Sequence, residues 1–536
     1  MPRRTRTLLA AAVLVPGLNA VVPSAARAAV ECRAGDTHAG GEWRRMGLDL
    51  GHTRHQAAEK TIGRTQAPLL APAWSFSVNE ATGGFLNEVT GYPIVADGCV
   101  FFGSNSGRTG PGWVFALDAD GGSVVWKTKV SDGIYSTVAV DNGIVYAFVS
   151  RVGSPYVVAL DARTGQVLWQ TTVDTQQGSD AVSSPVVYDG MVWVGVSGTA
   201  AEGDESTRFD FRGTSVLVQA GRTGGQVLAR TFAIPDEAWQ QGKGAAGGAI
   251  WSTISIDSDP ASPTRGFGFV GTGNPFNYDD EHAHTNALLK IDLRRTVGGV
   301  ANPNLGKIVG SYKGDVEEYF PALSENTSCD ESDPVGFFMA GFECGRLDLD
   351  FGASPNLFKD RQGKRLVGIG QKSGVYHAVD PVTMQPRWKQ IMGAPSAVGG
   401  IVGTAAFDGT SLYVPHSIAG YIASLDRDAG TPKWVSPVGD AVHWGNPVTS
   451  ANGVVYTVDL KGFLDAYDAG TGAPLLHRPI AAGANTGVAP TLSWGGVTVA
   501  RNTVFASVGV GLTSASAEVP AMPDGFVIAY RPVRTL

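Results

Sequence analysis

Glu281-His-Ala-His284 sets two imidazoles two residues apart. A strand would show both on one face, and imidazole nitrogens are common zinc ligands. A zinc site needs further ligands nearby, so the pair is read as loop histidines without a metal. Gly266-Phe-Gly268-Phe-Val-Gly271 has the spacing that lets a backbone approach a pyrophosphate, provided the loop opens a helix. Here it runs into Thr272-Gly-Asn-Pro275 with β-like alternation, which argues against a dinucleotide site. No G-x-S-x-G, H-E-x-x-H or Walker loop occurs, and no C-x-x-C-H for covalent haem. The four cysteines read as disulfides of an exported chain, Cys329 with Cys344 across one long loop and Cys32 with Cys99. Asn326-Thr-Ser is a glycosylation sequon, informative only in a host that glycosylates.

The elements that must position any chemistry come from a repeat. Each copy runs through a turn and an apolar strand to A-L-D, then x-T-G-x-x-x-W. Asn142-Gly-Ile-Val-Tyr, Tyr156-Val-Val-Ala-Leu-Asp161 and Thr164-Gly-Gln-Val-Leu-Trp169 form the clearest copy. Others end at Asp118, Asp292, Asp380, Asp426 and Asp468, with degenerate copies at Val216–Gly221 and Val527–Arg531. Alternating apolar residues between Asp-Gly or Asn-Gly turns mark short antiparallel strands, and the tryptophan is placed to pack between neighbouring sheets. Such a unit cannot bury its own faces, but eight in a ring can, so the expected fold is an all-β, eight-bladed β-propeller. The last copy lacks a closing strand, which Pro72-Ala-Trp74-Ser-Phe-Ser is placed to supply.

Repeat spacing shows where loops gather. Asp118 to Asp161 is 43 residues, but Asp161 to Gly221 is 60, Gly221 to Asp292 is 71 and Asp292 to Asp380 is 88. The middle blades therefore carry the insertions, and long loops on a rigid scaffold are where binding chemistry collects.

Of 536 residues 71 are glycine, and only 17% are charged, which excludes collagen, coiled coil and disordered classes. Arg3, Arg4 and Arg6, an apolar run from Leu8 to Leu18 and Ala26-Arg27-Ala28 lay out a secretory signal peptide over residues 1–28. A single propeller domain would then fill 29–536, secreted or periplasmic, with no membrane span. Cleavage there removes four arginines and no acid, taking the formal charge of −8 four units lower. So acidic a chain is not expected to bind nucleic acid.

The repeat and its insertions resemble the quinoprotein alcohol dehydrogenases, propellers that hold pyrroloquinoline quinone (PQQ), and in particular the polyvinyl-alcohol dehydrogenase branch. Gly47-Leu-Asp-Leu-Gly-His-Thr-Arg54 is similar to that branch's opening segment. Phe211-Arg-Gly-Thr-Ser-Val, Asp350-Phe-Gly-Ala-Ser-Pro355 and Gly370-Gln-Lys-Ser-Gly-Val-Tyr376 are similar to its later landmarks.

The resemblance implies PQQ lying flat in the central funnel beside calcium, a hard ion that takes six or more oxygen ligands. It assigns Glu202 in Ser197-Gly-Thr-Ala-Ala-Glu202, or its rival Glu205, and Asn274 in Gly271-Thr-Gly-Asn-Pro275 to the metal. Ser197 and Lys372 would contact the cofactor, and Trp251 in Gly247-Gly-Ala-Ile-Trp251 would stack against it. In Arg346-Leu-Asp348-Leu-Asp350-Phe-Gly, Asp350 or Asp348 would take the alcohol proton, and Asp350 would also touch the metal. The adjacent-cysteine disulfide of many relatives is missing, as is the arginine expected in the region reading Ile134-Tyr-Ser-Thr-Val. No haem domain is present, so an external electron acceptor such as a cytochrome c is implied. The substrate class implied is polyvinyl alcohol or a similar secondary alcohol. The repeat is shared with non-catalytic propellers, so a binding or assembly scaffold is the rival expectation.

Overall fold

Asp97-Gly98, Asn142-Gly143, Asp189-Gly190 and Asn452-Gly453 each put two successive residues at positive φ. That is the tight turn that returns a strand on its neighbour, and glycine takes its second position without strain. The computed structural model describes residues 31–533 apart from 34, 85–86, 107–109, 203, 205, 278, 315–348, 396–398, 438–445, 481–494 and 510–524.

Eight blades follow one another, each with four antiparallel strands ordered from inner to outer, and His55–Gln56 adds a fifth, parallel strand to the seventh. Blade 1 runs Ile94–Ala96, Cys99–Ser104, Gly112–Asp118, Val124–Val130. Blade 2 spans Ala139–Asp141 to Val167–Thr172, blade 3 Val186–Tyr188 to Val227–Phe232, and blade 4 Ser255–Ile256 to Ile308–Lys313. Blade 5 spans Asn356–Lys359 to Pro386–Ile391, blade 6 Ala406–Phe407 to Pro432–Val435, and blade 7 Thr449–Ala451 to Pro474–Pro479. Blade 8 takes Val497–Ala500, Thr503–Val508 and Phe526–Pro532 from the C-terminal end and Leu70–Ser77 from the N-terminal side. The ring is the expected eight-bladed propeller, closed by the segment containing Trp74. No described helix is long and apolar enough to cross a membrane.

The repeat tryptophans pack between blades as expected. Trp126 of blade 1 donates its indole hydrogen to Ala162 O of blade 2 at 2.8 Å, and Gly165 lies on its ring. Trp169, Trp434 and Trp74 donate in the same way to Gly221, Ala469 and Ala119. Gly225, Gly472 and Gly122 cover their rings, and Gly430 covers Trp388. A β-carbon on any of these glycines would collide with or crowd the indole, so the T-G of the repeat is a docking surface as well as a turn. Burying an indole this way removes a large apolar area from water at each seam.

An N-terminal segment visits every blade in order. Trp43 exchanges backbone hydrogen bonds with Val95 of blade 1 (2.7 and 2.9 Å), and Arg44 O accepts from Val140 N of blade 2. The Arg45 side chain donates to Val187 O of blade 3 at 3.4 Å. Leu50, Gly51, Thr53 and Arg54 carbonyls accept from Ile256, Leu357, Phe407 and Ser450 of blades 4 to 7. Gln56 Nε2 donates to Val499 O of blade 8. This clasp, residues 43–56, contains the Gly47–Arg54 motif, whose parts now have physical reasons. A β-carbon on Gly47 would lie 2.4 Å from the His52 ring. Asp49 accepts the Thr53 amide at 3.0 Å and also its hydroxyl. Arg54 is fully buried between the Trp43 and Tyr92 rings and donates to Val448 O and Thr449 Oγ1; burial pushes its pKa down to about 10. Leu48, His52 and Arg54 all sit at positive φ, strain that the surrounding hydrogen bonds hold in place.

The Cys32–Cys99 disulfide ties the start of the described chain to blade 1, as expected. Cys329, Cys344 and Asn326 lie outside the described residues.

Candidate functional site in the funnel

Loops entering the inner strands of blades 2 to 6 are joined by a chain of hydroxyls. Thr137 N donates to Ser184 Oγ, Ser184 N to Thr253 Oγ1, Thr253 N to Ser354 Oγ and Ser354 N to Thr404 Oγ1, at 2.9–3.3 Å. Each hydroxyl stands two residues before its inner strand, so the repeat places one at each step. The clasp bonds to the inner strands beyond these loops.

Three expected residues meet. Trp251 precedes the inner strand of blade 4, and its Nε1–H donates to Asp350 Oδ2 at 3.2 Å. Lys372, between the second and third strands of blade 5, brings its ammonium to the same oxygen at 3.2 Å and lies 5.6 Å from the Trp251 ring centre. The Lys372 amide donates to Asp350 O at 2.9 Å, so backbone and side chain both fix the pair. Asp350 is 4% exposed. A carboxylate so buried is stable only with such donors around it.

Glycines shape the floor. A β-carbon on Gly352 would lie 2.1 Å from Trp251 Cη2, so the indole rests directly on this backbone. A β-carbon on Gly273 would lie 3.4 Å from both Asp350 Oδ2 and Trp251 Nε1. Asn274 follows it, buried, its carbonyl accepting from Gly248 N at 2.9 Å, in the loop between the second and third strands of blade 4.

Blade 3 supplies the rest. Ser197 forms a two-way backbone bridge with Asp180 and donates its hydroxyl to the Asp180 carboxylate. Asp180 is an acid that sequence reasoning missed; it stands six residues before its inner strand, the same offset as Asp350. Glu202 ends the single helical turn Thr199–Glu202 and is half-buried. Its loop is tied to that of Asn274 through Phe211 and Phe276, whose ring centres are 5.7 Å apart. Ser197 and Glu202 thus belong to blade 3, and Asp350 to the loop that leads into blade 5. Asp348 and Glu205 lie outside the described residues.

Behind Asp350 and Lys372 lies a buried polar chain. Gln371 Nε2 donates to Leu349 O at 2.9 Å and Gly314 O at 2.8 Å. Its Oε1 accepts from Ser373 Oγ at 2.6 Å and His377 Nε2 at 3.1 Å. Tyr312 OH donates to His377 Nδ1 at 3.0 Å. Burial pushes the His377 pKa down to about 3, so this imidazole is neutral.

His282 and His284 sit apart from this group. His284 Nδ1–H donates to Ala233 O at 2.7 Å, and burial lowers the pKa of both imidazoles. The described residues contain no cluster of three or more His, Cys, Asp or Glu side chains suited to a metal.

The donor set can be tested against the cofactors that the resemblance implies. A flat indole seated on glycine, a lysine ammonium and a facing glycine suit a planar anionic quinone. Asp350 and the adjoining Asn274 offer hard oxygens, so a calcium ion there would have to draw on amide and cofactor oxygens as well as carboxylates.

A family model described as outer membrane protein assembly factor BamB matches residues 110–235. A polyvinylalcohol dehydrogenase of Pseudomonas sp. is 26% identical over 493 residues, covering 85% of this chain and 70% of that protein. One from Sphingopyxis sp. (strain 113P3) is 30% identical over 278 residues, covering 48% of this chain but only 37% of the relative. The solved quinohemoprotein alcohol dehydrogenase of Comamonas testosteroni superposes with a TM-score of 0.66 at 17% identity, over 92% of this chain and 81% of that one. At that identity the likeness speaks for the fold alone. The chain is an eight-bladed propeller that shares its fold with the solved quinohemoprotein alcohol dehydrogenases and is similar in sequence to two polyvinylalcohol dehydrogenases.

Proposed function

We propose that this chain is an exported, PQQ- and calcium-dependent alcohol dehydrogenase acting on polyvinyl alcohol or a similar secondary alcohol. One observation carries the reading: the Trp251 N–H and the Lys372 ammonium converge on one oxygen of buried Asp350 over a glycine floor. A non-catalytic ring has no need to bury that constellation. The named activities of the two sequence relatives add support.

In this reading Asp350 accepts the alcohol proton. Trp251 and Lys372 hold its Oδ2 and so fix the plane in which the carboxylate meets the substrate. Pre-positioned donors cost no reorganisation when charge develops, which is where such sites gain most of their effect. Trp251 offers its face as the platform, Lys372 a cation beside it, and Asn274 and Glu202 oxygen ligands; Ser197 contacts the cofactor with its remaining lone pairs. When bound, PQQ supplies the hydride acceptor and calcium a Lewis acid. Electrons then leave to an external acceptor such as a cytochrome c. Residues 1–28 act as the signal peptide that takes the chain to the periplasm or beyond.

The test is dye-linked oxidation of a panel of secondary alcohols and polyvinyl alcohol after loading with PQQ and calcium. Oxidation is expected, and Asp350→Asn should lower kcat by about 10²–10⁴-fold, the usual contribution of a general base. No oxidation by the loaded wild type would sink the proposal. The BamB-described match over residues 110–235 favours a second reading, an assembly scaffold. A protein that stays colourless through gel filtration after incubation with PQQ and calcium would favour that one.

A further inference from the structure

Asp350 and Lys372 come from different stretches of chain, and what holds them in register lies behind them. Leu349 precedes Asp350, and Gln371 precedes Lys372. The Gln371 side-chain amide therefore bridges from one stretch to the other, donating to Leu349 O at 2.9 Å while the Lys372 amide donates to Asp350 O at 2.9 Å. The two bonds run in parallel, one from a side chain and one from the backbone. Gln371 is fully buried, and a β-carbon on Gly314 would lie 2.6 Å from Gln371 Nε2. The amide therefore has no room to swing away.

Its orientation is set by the carbonyls of Leu349 and Gly314, which can only accept, and the far side conforms to it. An amide can be turned over with little change of shape, and only its partners decide which end donates. Ser373 Oγ and His377 Nε2 both give hydrogens to Oε1, and Tyr312 OH gives one to His377 Nδ1. With Oε1 turned toward it, the neutral imidazole carries its hydrogen on Nε2, which leaves Nδ1 to accept from Tyr312 and braces the amide from behind. The neutral imidazole keeps this arrangement free of net charge.

We infer that Gln371 is a positioning residue, braced from behind by His377 and Tyr312, which holds the Asp350 carboxylate against the Lys372 ammonium. The inference rests on the dehydrogenase reading for its kinetic consequence, but not for its geometric one. Gln371→Glu keeps the volume and the acceptor oxygen but replaces both donors with an oxygen facing two carbonyls. Gln371→Met keeps the volume and loses every bond. Tyr312→Phe removes only the hydroxyl that braces the imidazole, and should fold normally.

Two readouts are needed, on the full-length purified chain. The first is acetylation of Lys372 by acetic anhydride, followed by peptide mass spectrometry. Lys372 is 12% exposed and ion-paired. Its labelling should rise several-fold in all three variants while that of the surface lysine Lys433 stays constant. The second is steady-state kinetics of the PQQ- and calcium-loaded enzyme. Misplacement by an ångström costs about 100-fold in such sites, so kcat should fall by up to that factor in the Gln371 variants and less in Tyr312→Phe. KM for the alcohol should be unchanged, a split that general loosening of the fold does not produce. Wild-type labelling and wild-type kcat in Tyr312→Phe, or in either folded Gln371 variant, would overturn the inference. An inactive wild type with faster Lys372 labelling in the variants would break the dehydrogenase reading and leave the positioning role standing.

Discussion

Blades 1 and 4 have the same four-stranded plan, yet they meet their neighbours by different means. On blade 1 the outer strand carries Trp126 opposite Ala116, next to a bulge, and its indole docks on blade 2. Trp169, Trp388 and Trp74 likewise stand opposite alanine, and Trp434 opposite Ser424. Both seams of blade 4 lack the tryptophan. On the side of blade 3 the sizes are exchanged, with Ala229 opposite Leu217, and both pack on Gly306. On the side of blade 5 the position is Gly310, and Met384 fills in from the neighbouring blade. Ion pairs support that second seam: Lys359 and Arg365 of blade 5 each reach Asp259 at 2.7 Å, and Arg365 lies 3.5 Å from fully buried Asp257. Blade 4 is also the blade that carries Trp251 and Asn274. The tryptophan is thus missing from both seams of the blade that builds the floor of the site, and elsewhere only from the outer strand of blade 7, where Leu476 stands opposite Ala466.

The comparison can be broken at its strongest point first. Trp126→Ala should cost about 3–5 kcal/mol in urea unfolding, because a large buried indole leaves a cavity and an orphaned carbonyl on Ala162. A loss below about 1 kcal/mol, the cost of a modest surface change, would mean the indole seams do not hold the ring. Ala229→Trp sharpens the contrast, since the size exchange on blade 3 leaves no space for an indole while Leu217 is present. Alone it should destabilise by about 1–3 kcal/mol. Leu217→Ala in the same chain should recover most of that, a coupling that a double-mutant cycle would measure. Strictly additive effects would show that the two side chains do not share one space.

The smallest effect belongs to the ionic seam. Hydrogen bonds from Lys359, the Ala261 amide and Arg365 hold the Asp259 carboxyl well below the usual carboxylate range. A depressed acid contributes stability that is present above its unfolded pKa, near 4, and is lost as the pH falls toward its folded value. Asp259→Asn should therefore lower Tm slightly at pH 7, and the gap to the wild type should narrow as the pH drops below about 4. A gap that stays constant down to pH 3 would remove the charge from the explanation.

Much of this was legible in the chain itself. Asp-Gly and Asn-Gly turns, period-two strands and the A-L-D…T-G…W repeat are local signals, and they led to eight blades closed by the Trp74 segment. Spacing alone placed the long insertions on the middle blades, where Trp251, Asn274, Asp350 and Lys372 lie. The clasp was not legible, although its residues from Gly47 to Arg54 stood out. Nothing local in that motif says that its carbonyls will meet the amides of separate blades, since those partners lie hundreds of residues away. Asp180 and Gln371 were hidden for a similar reason: an acid or an amide in a loop looks like any solvated polar residue until its partner is known.

Residue order therefore determined the repeat, the turn chemistry, the number of blades and the kind of side chain available at each loop. Those follow from backbone preference and from burial with a period of two, which act over a few neighbouring positions. The tertiary structure decided which side chains converge: one carboxylate oxygen shared by an indole and an ammonium, a glutamine held between two carbonyls and a neutral imidazole, and a clasp that engages each blade in turn. These depend on distances between remote parts of the chain, which only the closed ring brings within hydrogen-bond reach.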